Sequence, residues 1–239
     1  MKIVLTGGIA CGKSLVAKFL RELGVRTLDA DDVVHELEAP GGAAVPAIVS
    51  RFGPSVLAPD GGIDRPKLAE IVFTGGSRSC ATAAETAALH AGGAQLVAPA
   101  NGMRAGEAAR TPLHDLEAIL HPLVRQRLLD FVSTPFPFHA SSFTIHLSII
   151  PLLFESHFES DYDIIICVSS TEDRQIDRMM HTRGYTRKQA EARLAAQMPV
   201  AEKAARADWT IHNNSTIEEL KAEVRRCVAW LSARMEKAV

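Results

Sequence analysis

A chain of 239 residues, 47% of them hydrophobic and 23% charged, is long and apolar enough to bury a core, as one large domain or one with subdomains. Its formal net charge of −2 supplies no global positive field. Charge-driven binding to nucleic acid or to an anionic membrane is therefore not expected, and any anionic ligand must be met locally.

The first predicted strand is the apolar, β-favouring run Lys2 to Thr6. It leads into Gly7-Gly8-Ile9-Ala10-Cys11-Gly12-Lys13-Ser14, which matches G-x-x-x-x-G-K-[ST]. In that motif the glycines let consecutive backbone N–H groups curl around a polyphosphate. Gly8, Ile9, Ala10, Cys11, Gly12, Lys13, Ser14 and Leu15 are the expected ATP-binding residues. Lys13 would reach the β- and γ-phosphates as a point charge, and the Ser14 hydroxyl would complete the shell of a Mg²⁺ ion. The motif is short enough to arise by chance, so its setting decides. Apolar residues at Leu15, Val16, Phe19, Leu20 and Leu23 have a helical spacing, and strand, glycine loop, helix is the required setting. Gly24 would follow the helix as its C-terminal glycine.

A second strand is predicted over Val25 to Leu28, ending in Asp29-Ala30-Asp31-Asp32, and a helical or turn-rich stretch follows. Further helices are expected at Gly42 to Phe52 and, with Pro66 near its start, at Pro66 to Phe73. The stretch from Thr74 to Pro112 breaks the rhythm, since 12 of its 39 residues are alanine and 6 glycine, with no sustained apolar period. It reads as an insertion, a surface loop or weak helix, and His90 within it has no partner spaced for a site. Leu113 to Val132 is a long amphipathic helix with a stripe of Leu116, Ile119, Leu120, Leu123, Val124 and Leu128. Strands at Phe143 to Ile150, Asp163 to Val168 and Trp209 to Ile211 then alternate with helices at Thr171 to His181, Thr186 to Gln197 and Thr216 to Met235. Alternation of this kind predicts an α/β fold with a parallel sheet.

The four cysteines, Cys11, Cys80, Cys167 and Cys227, form neither a C-x-x-C pair nor a zinc spacing and read as free thiols of a reducing compartment. No apolar run reaches transmembrane length, and the first strand leaves no room for a signal peptide, so a cytoplasmic location is expected.

The phosphate loop by itself is compatible with GTPases, motor ATPases and small-molecule kinases. The first two commonly end a later apolar strand in an aspartate that organises Mg²⁺. Here Phe143 to Ile150 runs instead into Pro151-Leu152-Leu153-Phe154-Glu155. Acidic chemistry must come from elsewhere, and Asp29 and Asp31 are expected at the carboxyl end of the second strand, facing one side if the chain stays extended. One would accept a proton from an acceptor hydroxyl while the other holds magnesium-bound water. Helix capping by Asp31 or Asp32 is the structural alternative. A kinase for a nucleoside or sugar acid, and an ATP-sensing module without transfer, stay open on these residues.

Taken in order, the motifs resemble the dephospho-coenzyme A kinase family. The residues concerned are Leu5-Thr6-Gly7-Gly8-Ile9 into Gly12-Lys13-Ser14, Leu28-Asp29-Ala30-Asp31, Leu120-His121-Pro122-Leu123, Pro151-Leu152-Leu153-Phe154-Glu155, Arg193-Leu194-Ala195-Ala196-Gln197-Met198-Pro199, and Ala207-Asp208 before Asn213-Asn214. The resemblance implies a P-loop kinase core (1–31 and 133–239), a helical substrate-binding region (32–132) holding the 74–112 insertion, and a small helical lid (171–197). It implies transfer of the ATP γ-phosphoryl to the ribose 3′-hydroxyl of dephospho-coenzyme A, with Mg²⁺, in a protein expected to be a monomer. Asp31 would be the base, and Lys13 and Arg178 the other catalytic residues. Asp31, His121, Pro151 and Leu152 would bind the acceptor, Arg178, Arg183 and Arg187 would furnish the lid, and Ser14, with Asp29 through water, would hold the metal. Three positions depart from the family pattern: Leu15 where threonine is common, His212 where aspartate is frequent, and Thr182 four residues after Arg178, with Arg183 displaced by one.

Overall fold

The structure, a computed structural model, describes residues 1–74, 111–133 and 145–237. The expected insertion lies outside the described residues except at its ends, as do His90, Cys80 and the first two residues of the strand expected from Phe143. The described chain forms two compact units: Met1–Asp29 with Leu129–Val239, and Ala30–Leu128.

The first unit is built on five parallel strands: β1 (Ile3–Gly7), β2 (Arg26–Asp29), β3 (His146–Ile149), β4 (Ile164–Ser169) and β5 (Trp209–His212), in the order β2-β3-β1-β4-β5. All five residues of β1 are buried, which is why it reads as a continuous apolar run; a parallel strand covered on both faces has no solvent side to fill with polar residues. The chain moves outward from β1 to β2, returns through β3 beside β1, and continues on the other flank through β4 and β5. The topological switch point therefore falls at the carboxyl end of β1, the place where doubly wound sheets bind ligands.

Helix α1 (Lys13–Glu22) leaves that switch point and buries Val16, Ala17, Phe19 and Leu20. Leu23 caps it and Gly24 follows with φ of 85°, a left-handed conformation that glycine adopts without penalty. The core is completed by the C-terminal helix of the unit, Ile217–Glu236, whose buried Leu220, Val224, Cys227 and Leu231 recur at intervals of three and four residues. Thr216 starts it through a reciprocal capping box with Glu219.

In the second unit lie α2 (Ala30–Glu38), α3 (Val45–Phe52), α4 (Arg65–Thr74) and the beginning of α5 (Pro112–Ser133). Thr74 and Pro112, taken as edges of the insertion, belong to α4 and α5. Glu38, 7% exposed, pairs with Arg65 at 2.6 Å, and Arg51 pairs with Asp115. The structure corrects one expectation here. β2 stops at Asp29, and Asp31 lies in the first turn of α2, so the two carboxylates do not share a face of an extended strand. Two acidic residues, Asp31 and Asp32, in an opening helical turn complement its dipole, and the helix begins directly after β2, which runs one residue past the expected end at Leu28.

Between β4 and β5 the chain forms α6 (Glu172–Arg183), α7 (Arg187–Ala195) and α8 (Val200–Ala205), and the C-terminal helix is α9. The short α8 was not anticipated, because six residues offer too little periodicity to read.

Candidate active site

The chain leaves β1 into a loop whose carbonyl groups are engaged by side chains. Lys13 folds back so that its Nζ donates to the carbonyls of Gly7 at 3.0 Å and Gly8 at 2.9 Å. Gln175 Nε2 donates to the Ile9 carbonyl at 2.6 Å, Arg178 to that of Ala10 at 3.1 Å, and Asn213 Nδ2 to that of Cys11 at 2.8 Å. Five consecutive carbonyls are thus turned toward the protein, which leaves anion binding to the amides and to the start of α1, where the helix dipole favours negative charge.

Holding the loop in this shape needs unusual backbone. Gly12 has φ of 93°, and Ala10, though not glycine, has φ of 55°, a conformation that persists only when neighbours enforce it. Arg178 is the enforcing neighbour: its guanidinium also donates to Ser170 Oγ at 3.3 Å and to the Asn213 carbonyl at 2.9 Å. A Cβ on Gly8 would stand 2.6 Å from Gln175 Nε2 and 3.1 Å from Val200 Cβ, so the backbone packs closely at that position and only glycine fits.

Burial pulls the Lys13 ammonium below its ordinary value, with Cys11 and Asp29 opposing that shift and Lys203 adding to it. An anion entering the loop would reverse the balance, because an opposite charge at close range favours the charged lysine. Burial also raises the Cys11 thiol and pushes Cys167 up to about 12, so both stay neutral beside the loop. Next to Gly8 and Ile9 opens a cavity of about 540 Å³, walled by Ser169 to Glu172, Gln175 and the segment Gln197 to Ala201. It is large enough for a nucleotide fragment.

A loop with that carbonyl pattern, at the switch point of this sheet, is a nucleotide phosphate site. The sequence model of the dephospho-CoA kinase family matches residues 1–83 and 108–219, on both sides of a break inside the 74–112 stretch. The chain belongs to the dephospho-CoA kinase family. A dephospho-CoA kinase of Geobacillus kaustophilus is 37% identical over 224 residues, covering 94% of this chain and 93% of that protein. A crystal structure from Thermus thermophilus superposes with a TM-score of 0.64 at 26% identity, covering 97% of this chain and 99% of the other. The dephospho-CoA kinase from Campylobacter jejuni, at 23% identity and a TM-score of 0.59 over 98% of both chains, shares the fold.

Within this dephospho-CoA kinase family member, the structure gathers Gly8 to Leu15, Arg178, Gln175 and Asn213 around one loop. Ser14 stands exposed in the first turn of α1. Asp29 closes β2 and acts electrostatically on Lys13. Pro151 and Leu152 form the turn after β3, with the Pro151 carbonyl accepting from Thr6 Oγ1 at 3.3 Å. Asp31 and the exposed His121 belong to the other unit, on α2 and α5.

The arginines expected of a lid are spread out. Arg178 is tied to the loop, Arg183 is exposed at the end of α6, and Arg187 pairs with Glu191 at 2.9 Å. Thr182, where the family pattern carries its second arginine, donates from Oγ1 to the Arg178 carbonyl at 2.5 Å. Gln175 was missed by sequence reasoning. Its signal was a polar residue beside Ile176 and Met179 on the buried face of α6, a position that an amide occupies only when it has a partner.

Proposed function

We propose that the protein transfers the γ-phosphoryl of ATP to the ribose 3′-hydroxyl of dephospho-CoA, the last step of CoA biosynthesis. The observation that carries this reading is the phosphate loop, with its carbonyls occupied by Lys13, Gln175, Arg178 and Asn213, in a chain of the dephospho-CoA kinase family. Loop amides and Lys13 hold the ATP phosphates. Asp31 accepts the proton of the acceptor hydroxyl, and the Pro151-Leu152 turn and His121 belong to the acceptor's binding surface. Arg178, beside the loop, neutralises charge on the transferring phosphoryl, and Arg183 and Arg187 close from α6 and α7.

The residues fit a magnesium ion carried by the nucleotide: Ser14 offers a hydroxyl at the loop and Asp29 a carboxylate that acts electrostatically on Lys13. Such an ion would be held by the Ser14 hydroxyl and, through water, by Asp29, and would supply charge neutralisation at the phosphates. No helix of the described residues is long and apolar enough to cross a membrane.

A panel of dephospho-CoA, nucleosides and sugar acids with ATP and Mg²⁺ tests the reading by ADP release. Turnover with dephospho-CoA alone is expected; preference for another acceptor, or no turnover with any, would overturn it.

A further inference from the structure

Lys203 in α8 is completely buried, an expensive location for an ammonium unless it is paired and hydrogen-bonded. Its Nζ lies 2.6 Å from Glu155 Oε1 and donates to the Pro151 carbonyl at 3.3 Å. The same Glu155 oxygen accepts the backbone amide of Met198 at 3.1 Å. The Pro151 carbonyl in turn accepts from Thr6 Oγ1, one residue before the phosphate loop begins, at 3.3 Å.

One ion pair therefore joins three segments around the loop: the end of β1, the turn after β3, and the strap that leads from α7 to α8. The strap residues Gln197, Met198, Pro199 and Val200 form one wall of the cavity beside Gly8 and Ile9. Val200 already stands 3.1 Å from the position of a Cβ on Gly8, so little movement of the strap is needed to disturb the loop.

Stability is a poor reason for this arrangement, since apolar residues of the same volume commonly do as well as a buried ion pair. Glu155 Oε2 is also buried with no hydrogen-bond partner among the described residues, an imperfection that a purely structural pair would gain by losing.

We propose that Glu155 and Lys203 are a positioning pair for phosphoryl transfer, holding the Pro151 turn and the Met198 strap in register with the phosphate loop. They act through the Pro151 carbonyl and the Met198 amide. This rests on the reading of that loop as the ATP site, which turnover by the parent protein tests separately.

The full chain carrying Glu155→Gln with Lys203→Met replaces the charged pair by neutral side chains of similar length. Measured together with Glu155→Gln, Lys203→Met and Lys203→Arg alone, it should melt near the parent temperature yet lose about tenfold or more in kcat, because small misplacements of reacting groups are costly. The KM for ATP should stay within about threefold, since the loop amides and Lys13 are intact. A double variant with parental melting and parental kcat would overturn the proposal, as would a loss of kcat that merely follows melting temperature through the series. If the double variant does not melt cooperatively, Lys203→Arg decides. It keeps the charge but not a single ammonium between two oxygens, so a folded variant with reduced kcat is expected, and parental kcat overturns the proposal.

Discussion

At the level of single residues, Lys13 shows how a charge is stored for a ligand. With its ammonium on the Gly7 and Gly8 carbonyls it is internally satisfied, so Lys13→Ala should fold while losing about 10²- to 10³-fold in turnover, the scale of removing one preorganised group at a developing charge. Near-normal turnover in a cleanly folded variant would remove the kinase reading. Burial places its pKa below the ordinary lysine value of 10.5, and the sign of the pH effect follows. ATP affinity by calorimetry should fall as pH rises through that lowered value, before 10.5. In the same interval the unfolded chain still binds the proton that the folded loop has released, so ligand-free stability rises with pH rather than falls. Affinity that stays flat up to pH 10.5 would contradict this. Asp31 separates two roles. Asn retains an oxygen for the opening turn of α2 but takes no proton, so Asp31→Asn should melt like the parent and lose most of its turnover. Unchanged turnover would make Asp31 a helix-end residue only.

At the level of elements, α6 is the informative case. The family resemblance assigned this helix to a lid, and Arg174 and Arg178, four residues apart on it, share a face by spacing. The described side chains divide the two: Arg174 is exposed, whereas Arg178 enforces the strained Ala10 and shares the loop with the buried Gln175. Arg178→Ala should therefore cost far more turnover than Arg174→Ala, and equal, mild effects would make the pair ordinary surface. Strands and long helices were legible because burial imposes a period: β1 reads as continuous apolar sequence and α9 as a 3–4 repeat. The phosphate loop was legible because its glycines and Lys13 serve the backbone locally. Gln175 and Lys203 were not, since each meets a partner distant in sequence, and a buried polar residue looks like any other until that partner is known. Asp31 was placed on an extended segment because two-residue alternation carries no signal for where a strand gives way to a helix. The capping boxes at Thr186 and Thr216 did leave a local trace, a hydroxyl followed three residues later by Gln or Glu. Thr216→Ala should lower stability by about 1 kcal/mol in denaturant melts without altering KM; no change in stability would show that α9 is held by packing alone.

For the molecule as a whole, the family match passes over residues 84–107, inside a stretch whose alanine and glycine content sets it apart. Replacing 84–107 by a short Gly-Ser linker should preserve turnover with dephospho-CoA within about threefold, since the matched motifs lie on either side of it. Abolished turnover in a folded deletion would give the segment a part in acceptor binding. The central claim is chemical: a chain of the dephospho-CoA kinase family with this phosphate loop transfers the ATP γ-phosphoryl to dephospho-CoA. The most direct measurement is to incubate the purified full chain with ATP, Mg²⁺ and dephospho-CoA and to follow ADP release together with the mass and phosphorylation position of the product. The account predicts stoichiometric ADP and CoA, phosphorylated at the ribose 3′-hydroxyl, with both lost in Lys13→Ala. ADP released without a phosphorylated acceptor, or phosphate placed on a different hydroxyl, would contradict it.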